Sequence, residues 1–137
     1  MLKTIFIIVL IVPFVFAQTA IEIKHNGEDS NGLSTYSRVT NILQNTKTYR
    51  LVEAQKKENR LILYLQTADK GNPKISPIAV VITYLDITEG KEYYLYSWLF
   101  WYVEKDPELV VNGIISLVNT IREHEKYKAL LNKQTTK

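Results

Sequence analysis

The sequence predicts an α+β fold, a two-layer sandwich in which two helices pack on one face of a mainly antiparallel sheet of four or five strands. After a short alternating stretch at residues 20–24, the spacing of apolar residues is helical, becomes alternating near residue 49 and returns to helical after residue 106. Between these points, β-branched and aromatic runs are separated by short stretches rich in glycine, proline and charge. We therefore expect the element order β-α-β-β-β-β-α in a single domain over residues 18–131.

The domain begins with a short strand and an amphipathic helix. Residues 20–24 alternate as AIEIK, with both isoleucines on one face. The loop HNGEDSNG follows, and either Asp29 or Ser30 is expected to cap a helix over residues 33–45. The apolar positions of this helix recur at helical spacing, so one side of it should pack on the sheet.

Four strands follow, each bounded by turn-forming residues. We expect strands over residues 49–54 and 60–67, joined as a hairpin by the charged loop QKKEN. A connection with two prolines leads to a β-branched strand over residues 78–87. Gly90 then turns the chain back into a strand over residues 92–103, which carries seven aromatic residues in ten positions. The short connections predict an antiparallel meander.

The C-terminal part predicts a second helix and then a polar segment. Asp106 is placed as the N-cap and Pro107 as the first helical residue. The apolar spacing runs to Ile121 and gives way to the mixed charges of REHEKYK. Residues 132–137 are expected to form a flexible tail. Three apolar residues before this tail are expected to fold back onto the rim of the sheet, and a sticky end for a partner is the alternative: Tyr127, Leu130 and Leu131.

The first 17 residues predict a secretory signal peptide. Lys3 precedes an apolar run over residues 5–16, and Val15 and Ala17 are the small residues that place cleavage before Gln18. The run is shorter than a membrane span requires, so an uncleaved anchor is the weaker alternative. The chain has no cysteine, which excludes disulfides, thiol chemistry and a lipid-bearing cysteine. We expect an exported protein, periplasmic or secreted, with a bacterial envelope favoured and no membrane span after cleavage.

The expected order of elements is similar to that of small envelope domains such as the N-terminal domain of TolB and the curli-secretion protein CsgG. The likeness is one of topology alone, without a shared motif, and a fold does not imply a function. The formal net charge of only +3 argues against nucleic acid as a partner, because phosphate binding requires a concentrated basic face.

The histidines and serines do not form a recognisable catalytic or metal-binding pattern. His25 lies in the early loop and His124 in the polar end of the last helix, and both are interpreted as solvated. The spacing of His25, Glu28 and Asp29 matches no zinc or calcium loop. The sequence G-x-S-x-G and glycine-rich phosphate loops are also missing.

Three carboxylates bracket the turn between the last two strands: Asp86, Glu89 and Glu92. A hydrolase that uses such a pair is the least favoured alternative, and an exposed charged turn is the preferred interpretation. We therefore expect a protein without enzymatic activity, cofactor or metal.

The aromatic strand carries apolar residues on both faces. Alternation places Leu95, Leu99 and Val103 on the face that we expect to meet the last helix. The rings are then expected on the opposite face, as candidate ligand- or partner-binding residues: Tyr94, Tyr96, Trp98, Phe100 and Tyr102. Shielding of these rings by neighbouring strands is the structural alternative. We expect the strand to be internal, because a long exposed edge invites aggregation; at an edge, addition of a partner strand would be preferred.

These observations predict an exported non-enzymatic domain that binds another envelope or secreted component through the aromatic face. The partner would be another protein or a second copy of the chain. The alternative is a carrier or inhibitor that holds a small apolar or sugar ligand in a pocket lined by Tyr94, Trp98 and Tyr102.

Overall fold

The order of helices and strands follows the predicted order, with one helix added at the end. The computed structural model describes residues 17–68 and 74–135, with side chains to residue 133. The predicted signal peptide thus lies outside the described residues, apart from Ala17. The elements are β1 (Thr19–Asn26), α1 (Ser30–Asn45), β2 (Tyr49–Leu51), β3 (Arg60–Thr67), β4 (Ile75–Asp86), β5 (Lys91–Val103), α2 (Pro107–Glu123) and α3 (Glu125–Thr135). The α+β class is confirmed.

The strands form one mixed sheet in the order β2-β1-β3-β4-β5. β3, β4 and β5 pair antiparallel as predicted, but β1 runs parallel to both β2 and β3. The parallel pair arises because α1 carries the chain back to the end of the sheet where β1 began, as a crossover helix does. The predicted hairpin between β2 and β3 is therefore wrong, since β1 lies between them.

The helices cover one face of the sheet. α1 begins where Asp29 caps it, with the carboxylate accepting a hydrogen bond from the Gly32 backbone N–H at 2.7 Å. Pro107 begins α2, although the Asp106 side chain makes no capping hydrogen bond. Apolar side chains from the helices and from all five strands form the core between the layers, including Ile21, Val39, Leu43, Leu63, Val80, Ile82, Val111, Ile114 and Val118.

The C-terminal helix α3 returns to the core. The Tyr127 ring is buried and meets the Tyr84 ring edge-on, with the centroids 5.6 Å apart. Leu130 packs partly against the same cluster, whereas Leu131 remains exposed. The predicted fold-back is thus confirmed for Tyr127 and Leu130. α3 continues to Thr135 through most of the expected tail, whose flexibility stays a prediction.

Candidate functional site

β5 lies at the edge of the sheet. It spans Lys91–Val103 and, among the described residues, pairs only with β4. The expectation of an internal strand is wrong. The physical reason is the crossover through α1, which places β1 beside β3 and leaves the outer side of β5 uncovered by the described strands.

The outer edge of β5 presents unpaired backbone groups. The Glu104 N–H donates to the Lys74 carbonyl at 2.9 Å, so the backbone of residue 104 points toward β4. Backbone groups of successive residues in an antiparallel strand point to opposite edges. Four residues therefore point their N–H and C=O away from β4: Ser97, Leu99, Trp101 and Val103. The Val103 carbonyl accepts a hydrogen bond from the Asp106 N–H at 3.0 Å. Within residues 17–68 and 74–135, no backbone hydrogen bond reaches the other outward groups.

A β-bulge at Leu95 decides which face each ring occupies. Tyr94 pairs with Thr83 and Tyr96 pairs with Ile82, so Leu95 is an extra residue between them. The alternation of side chains is displaced by one residue at this point. Beyond the bulge, Tyr96 and the alternate residues after it lie on the helix-covered face with buried Ile82.

The five predicted rings therefore do not share one open face, and the predicted face is wrong. Tyr102 is buried in the core, and Phe100 packs so closely on α2 that a Cβ at Gly113 would lie 2.6 Å from its Cε1 atom. The rings of Tyr96 and Trp98 stack at a centroid distance of 6.3 Å beside α2 and remain exposed. Only Tyr94 lies on the open face, where its hydroxyl is 2.9 Å from Ser97 Oγ.

The open face exposes Leu99, which the sequence interpretation assigned to the core, together with Trp101. Leu99 is 52% exposed and Trp101 is 57% exposed, although Leu99 was expected to pack on the last helix. With Ala79 and Val81 of β4, Leu99 and Ser97 line an open depression of about 580 Å³. The dense cluster of rings pointed to this strand, but simple alternation could not locate the bulge.

The helix-covered face has a smaller groove beside the same strand. Its volume is about 250 Å³, and it runs between the β5 rings and α2, lined by Tyr96, Trp98, Phe100, Gly113, Ser116, Leu117 and Thr120. Tyr94 and Tyr102 do not line it, so the predicted pocket of Tyr94, Trp98 and Tyr102 is not formed. The edge of β5 thus has a recess on each side, and the one beside α2 is partly polar because Ser116 and Thr120 line it.

Lys126 of α3 covers the beginning of the β5 edge. Its ammonium group lies 5.5 Å from the centroid of the Tyr94 ring and donates to the Tyr94 carbonyl at 2.5 Å. A cation over an aromatic face is attracted by the ring quadrupole. The part of the edge that stays accessible therefore runs from about residue 96 to residue 103.

The carboxylates near the β4–β5 turn are held by separate partners. Asp86 accepts hydrogen bonds from the backbone N–H groups of Thr88 and Glu89, at 2.9 and 3.1 Å. Glu92 accepts from the hydroxyls of Tyr64 and Thr83, at 2.7 and 2.6 Å. Burial, together with the Glu92 carboxylate, raises the pKa of Tyr64. Glu92 pairs with Leu85 and therefore lies on the same face of the sheet as Leu85. Asp86 is the next residue along β4, so it faces the opposite side.

His25 takes a structural position and is not a solvated loop residue as expected. It lies in β1, its ring stacks on Tyr36 at 5.7 Å, and its Nε2 is 3.3 Å from Thr67 Oγ1. The Thr67 hydroxyl donates to Asp29, so the histidine N–H donates to that hydroxyl and does not act as a base toward it. In the described part of the chain, no three His, Cys, Asp or Glu residues are grouped to hold a metal ion.

Comparison with known proteins gives a shared fold. No protein-family model matches the chain, and no curated protein matches it in sequence. The hypothetical protein CT253 from Chlamydia trachomatis has a TM-score of 0.52 at 7% identity, covering 76% of this chain and 98% of its own. A variant PelC dodecamer from Paraburkholderia phytofirmans has a TM-score of 0.49 at 13% identity, covering 78% and 89%. The LpoB C-terminal domain from Salmonella enterica has a TM-score of 0.38 at 12% identity, covering 67% and 87%.

The likeness to CT253 supports the α+β architecture and nothing further, because the identity is low. Fold and edge together define a small α+β domain with a five-stranded mixed sheet and a solvent-facing aromatic edge strand. In residues 17–68 and 74–135, no helix is both long enough and apolar enough to cross a membrane.

Proposed function

We propose that this protein is an exported, non-enzymatic domain that binds a protein partner by strand addition at β5. The observation that carries the proposal is the long edge strand. Apart from the Val103 carbonyl, its outward backbone groups are unpaired in the described residues, and its Trp98 and Trp101 are more than half exposed. Export is supported by the signal-peptide pattern of residues 1–17.

Strand addition uses both features of this edge. An incoming strand gains main-chain hydrogen bonds from the outward groups, and its alternate side chains enter recesses on the two faces. The depression beside Leu99 and the groove beside Trp98 are such recesses. Tryptophan and tyrosine are the residues that contribute most at protein interfaces, because they bury a large area at little cost in side-chain entropy.

The absence of enzymatic activity is supported by the hydrogen bonding of the candidate groups. The Asp86 and Glu92 carboxylates are held by separate partners on opposite faces, and the His25–Thr67–Asp29 cluster ties the start of α1 to β3. None of these groups forms a nucleophile with a base that a third residue orients.

Site-specific photo-crosslinking in the producing organism tests the proposal. A photoreactive amino acid at Leu99 should give a covalent adduct with a defined protein. The same amino acid at Leu33, which is 51% exposed on α1, a helix that packs over β1, β2 and β3, should not. The adduct should disappear when Ser97→Pro removes an outward N–H. Equal adducts from both positions, or none from Leu99, would contradict binding at β5.

A second candidate function is a carrier for a small ligand. A pocket of about 550 Å³ lies between α1 and β1, where β2 ends at Leu51, and Ile23 and Tyr36 supply apolar walls. The hydroxyl of Thr40 lines this pocket, is buried and has no hydrogen-bond partner among the described residues. The volume is within the range of ligand sites. Native mass spectrometry of protein from its own source should then show added mass, which Thr40→Val should reduce.

A further inference from the structure

We propose that the partner of β5 is β5 of a second copy of this chain, paired antiparallel about a two-fold axis that passes close to Phe100. The inference rests on the proposed function, because it identifies the strand that is added. The two five-stranded sheets would join into one continuous sheet.

The outward backbone groups determine the register. Outward residues must lie opposite outward residues for their N–H and C=O groups to bond. A two-fold axis at Phe100 places Ser97 opposite Val103 of the second copy and Leu99 opposite Trp101, so all four outward residues on each copy gain a partner. The Val103 carbonyl, which already accepts from the Asp106 N–H of its own copy, would use its second lone pair. A register shifted toward the start of β5 would use the bulge at Leu95 and the carbonyl that Lys126 already occupies.

The side chains of β5 suit pairing with themselves. Identical strands bring like residues close together, and like charges across a strand pair are destabilising. No residue between Tyr93 and Val103 is charged. A partner strand must also be apolar on both faces, because Trp98 and Trp101 lie on opposite faces and are 55% and 57% exposed. Most strands alternate apolar with polar residues, whereas β5 itself meets this requirement.

The exposed area is sufficient for a reversible dimer. Half of each tryptophan, half of Leu99 and the strand backbone together amount to about 500 Å² per copy, or about 1,000 Å² in total, which is the lower limit of a specific interface. Association closes at two copies, since a two-fold contact uses the same strand of each. The opposite edge of the sheet is the three-residue β2, which offers little to a further strand.

Ser97→Pro and Ser97→Ala form a matched pair for testing the dimer. The chain is expressed from its full sequence and examined by size-exclusion chromatography with light scattering. Proline removes the outward N–H without touching the β4 ladder, whereas alanine keeps that N–H. Both variants lose the hydroxyl that contacts Tyr94. Ser97→Pro should weaken the dimer by about a hundredfold, tenfold for each of two lost hydrogen bonds. Its melting temperature should equal that of the wild type when both are diluted to monomers, because dimerisation itself raises the melting temperature. Ser97→Ala should remain a dimer.

Charge reversal separates a second copy from any other partner. In the proposed register, the two Leu99 side chains are diagonal neighbours about 7–8 Å apart. Leu99→Lys and Leu99→Glu should each be monomeric, and an equimolar mixture of the two should form a dimer.

Three outcomes would overturn the proposal. The first is a wild-type chain that is monomeric at about 200 µM, a concentration at which even weak specific contacts are populated. The second is a Ser97→Pro variant that stays dimeric. The third is an equimolar mixture of Leu99→Lys and Leu99→Glu that stays monomeric. If the chain is monomeric while photoreactive residue 99 still captures another protein, the second-copy inference fails and the proposed function stands. If no adduct forms either, both fail.

Discussion

Tyr127 makes the stability of the domain depend on pH in the alkaline range. Its ring is buried against Tyr84, and this burial, reinforced by Tyr84, raises the pKa of the Tyr127 hydroxyl from 10.0 to about 12, although the Thr19 hydroxyl opposes the shift. The folded state therefore favours the neutral phenol. Below pH 10 the phenol is neutral in both states and its contribution to stability is complete. As the pH rises toward 12, the unfolded chain ionises first, so the free energy of unfolding falls.

The magnitude follows from the two pKa values. At pH 11 the Tyr127 phenol is mostly ionised in the unfolded chain and mostly neutral in the folded one. The free energy of unfolding at pH 11 is therefore lower than at pH 9 by about 1.3 kcal/mol from this group. The full shift would be about 2.7 kcal/mol above pH 12. Tyr127→Phe keeps the buried ring and removes the ionisable hydroxyl. The free energy of unfolding of this variant should therefore fall by about 1.3 kcal/mol less than that of the wild type between pH 9 and pH 11.

Urea unfolding of both proteins at the two pH values measures the difference. Tyr49 and Tyr64 also have raised pKa values, and both remain in the variant, so their contributions cancel in the comparison. Parallel loss of stability in the wild type and in Tyr127→Phe would show that the phenol is not held in a desolvated position.

Two further predictions concern the core and the C-terminal helix. Glu22 and Arg60 form a buried ion pair with Nε and Oε2 2.6 Å apart, so Glu22→Gln should lower the free energy of unfolding by about 3 kcal/mol, measured in urea, because the guanidinium stays buried without its counter-charge. Deleting residues 126–137 removes Tyr127 from the core and should cost about 3 kcal/mol. This corresponds to a fall in melting temperature of roughly 10–20 °C in calorimetry.

Each of these predictions has a matched control or a contrary outcome. Glu108→Gln breaks an exposed ion pair with Arg38 and should cost less than about 1 kcal/mol, so equal effects at Glu22 and Glu108 would argue against the buried pair. For the deletion, unchanged melting together with weakened association would mean that the C-terminal segment serves a partner and does not support the core.

Local signals predicted most helices and strands well. β3 has the predicted bounds, and α2 begins at the predicted Pro107. β2 is shorter than predicted and ends at Leu51. The chain must leave one side of β1 there, because β3 pairs with the other side of β1. α3 was not predicted, because its sequence is polar and its one deeply buried ring, Tyr127, gives no repeating apolar pattern.

The candidate site was predicted in its strand but not in its geometry. Aromatic composition identified β5 correctly, since rings concentrated in one strand are visible in any short window. The face of each ring depended on one extra residue, Leu95, and a shift of one residue exchanges the two faces of a strand. Trp101 and Leu99 were therefore missed as exposed residues, and Tyr102 was wrongly placed on an open surface.

The sequence by itself determined the fold class, the order of elements and the strand that carries the rings, because periodicity, caps and turn residues act between neighbours in the chain. Only the tertiary structure decided that β1 lies between β2 and β3, that β5 is an edge and that its rings divide between two faces. These features depend on pairings between residues far apart in the sequence, such as Ile21 with Leu61 and Ile82 with Tyr96. No short stretch of sequence contains the information that sets such pairings.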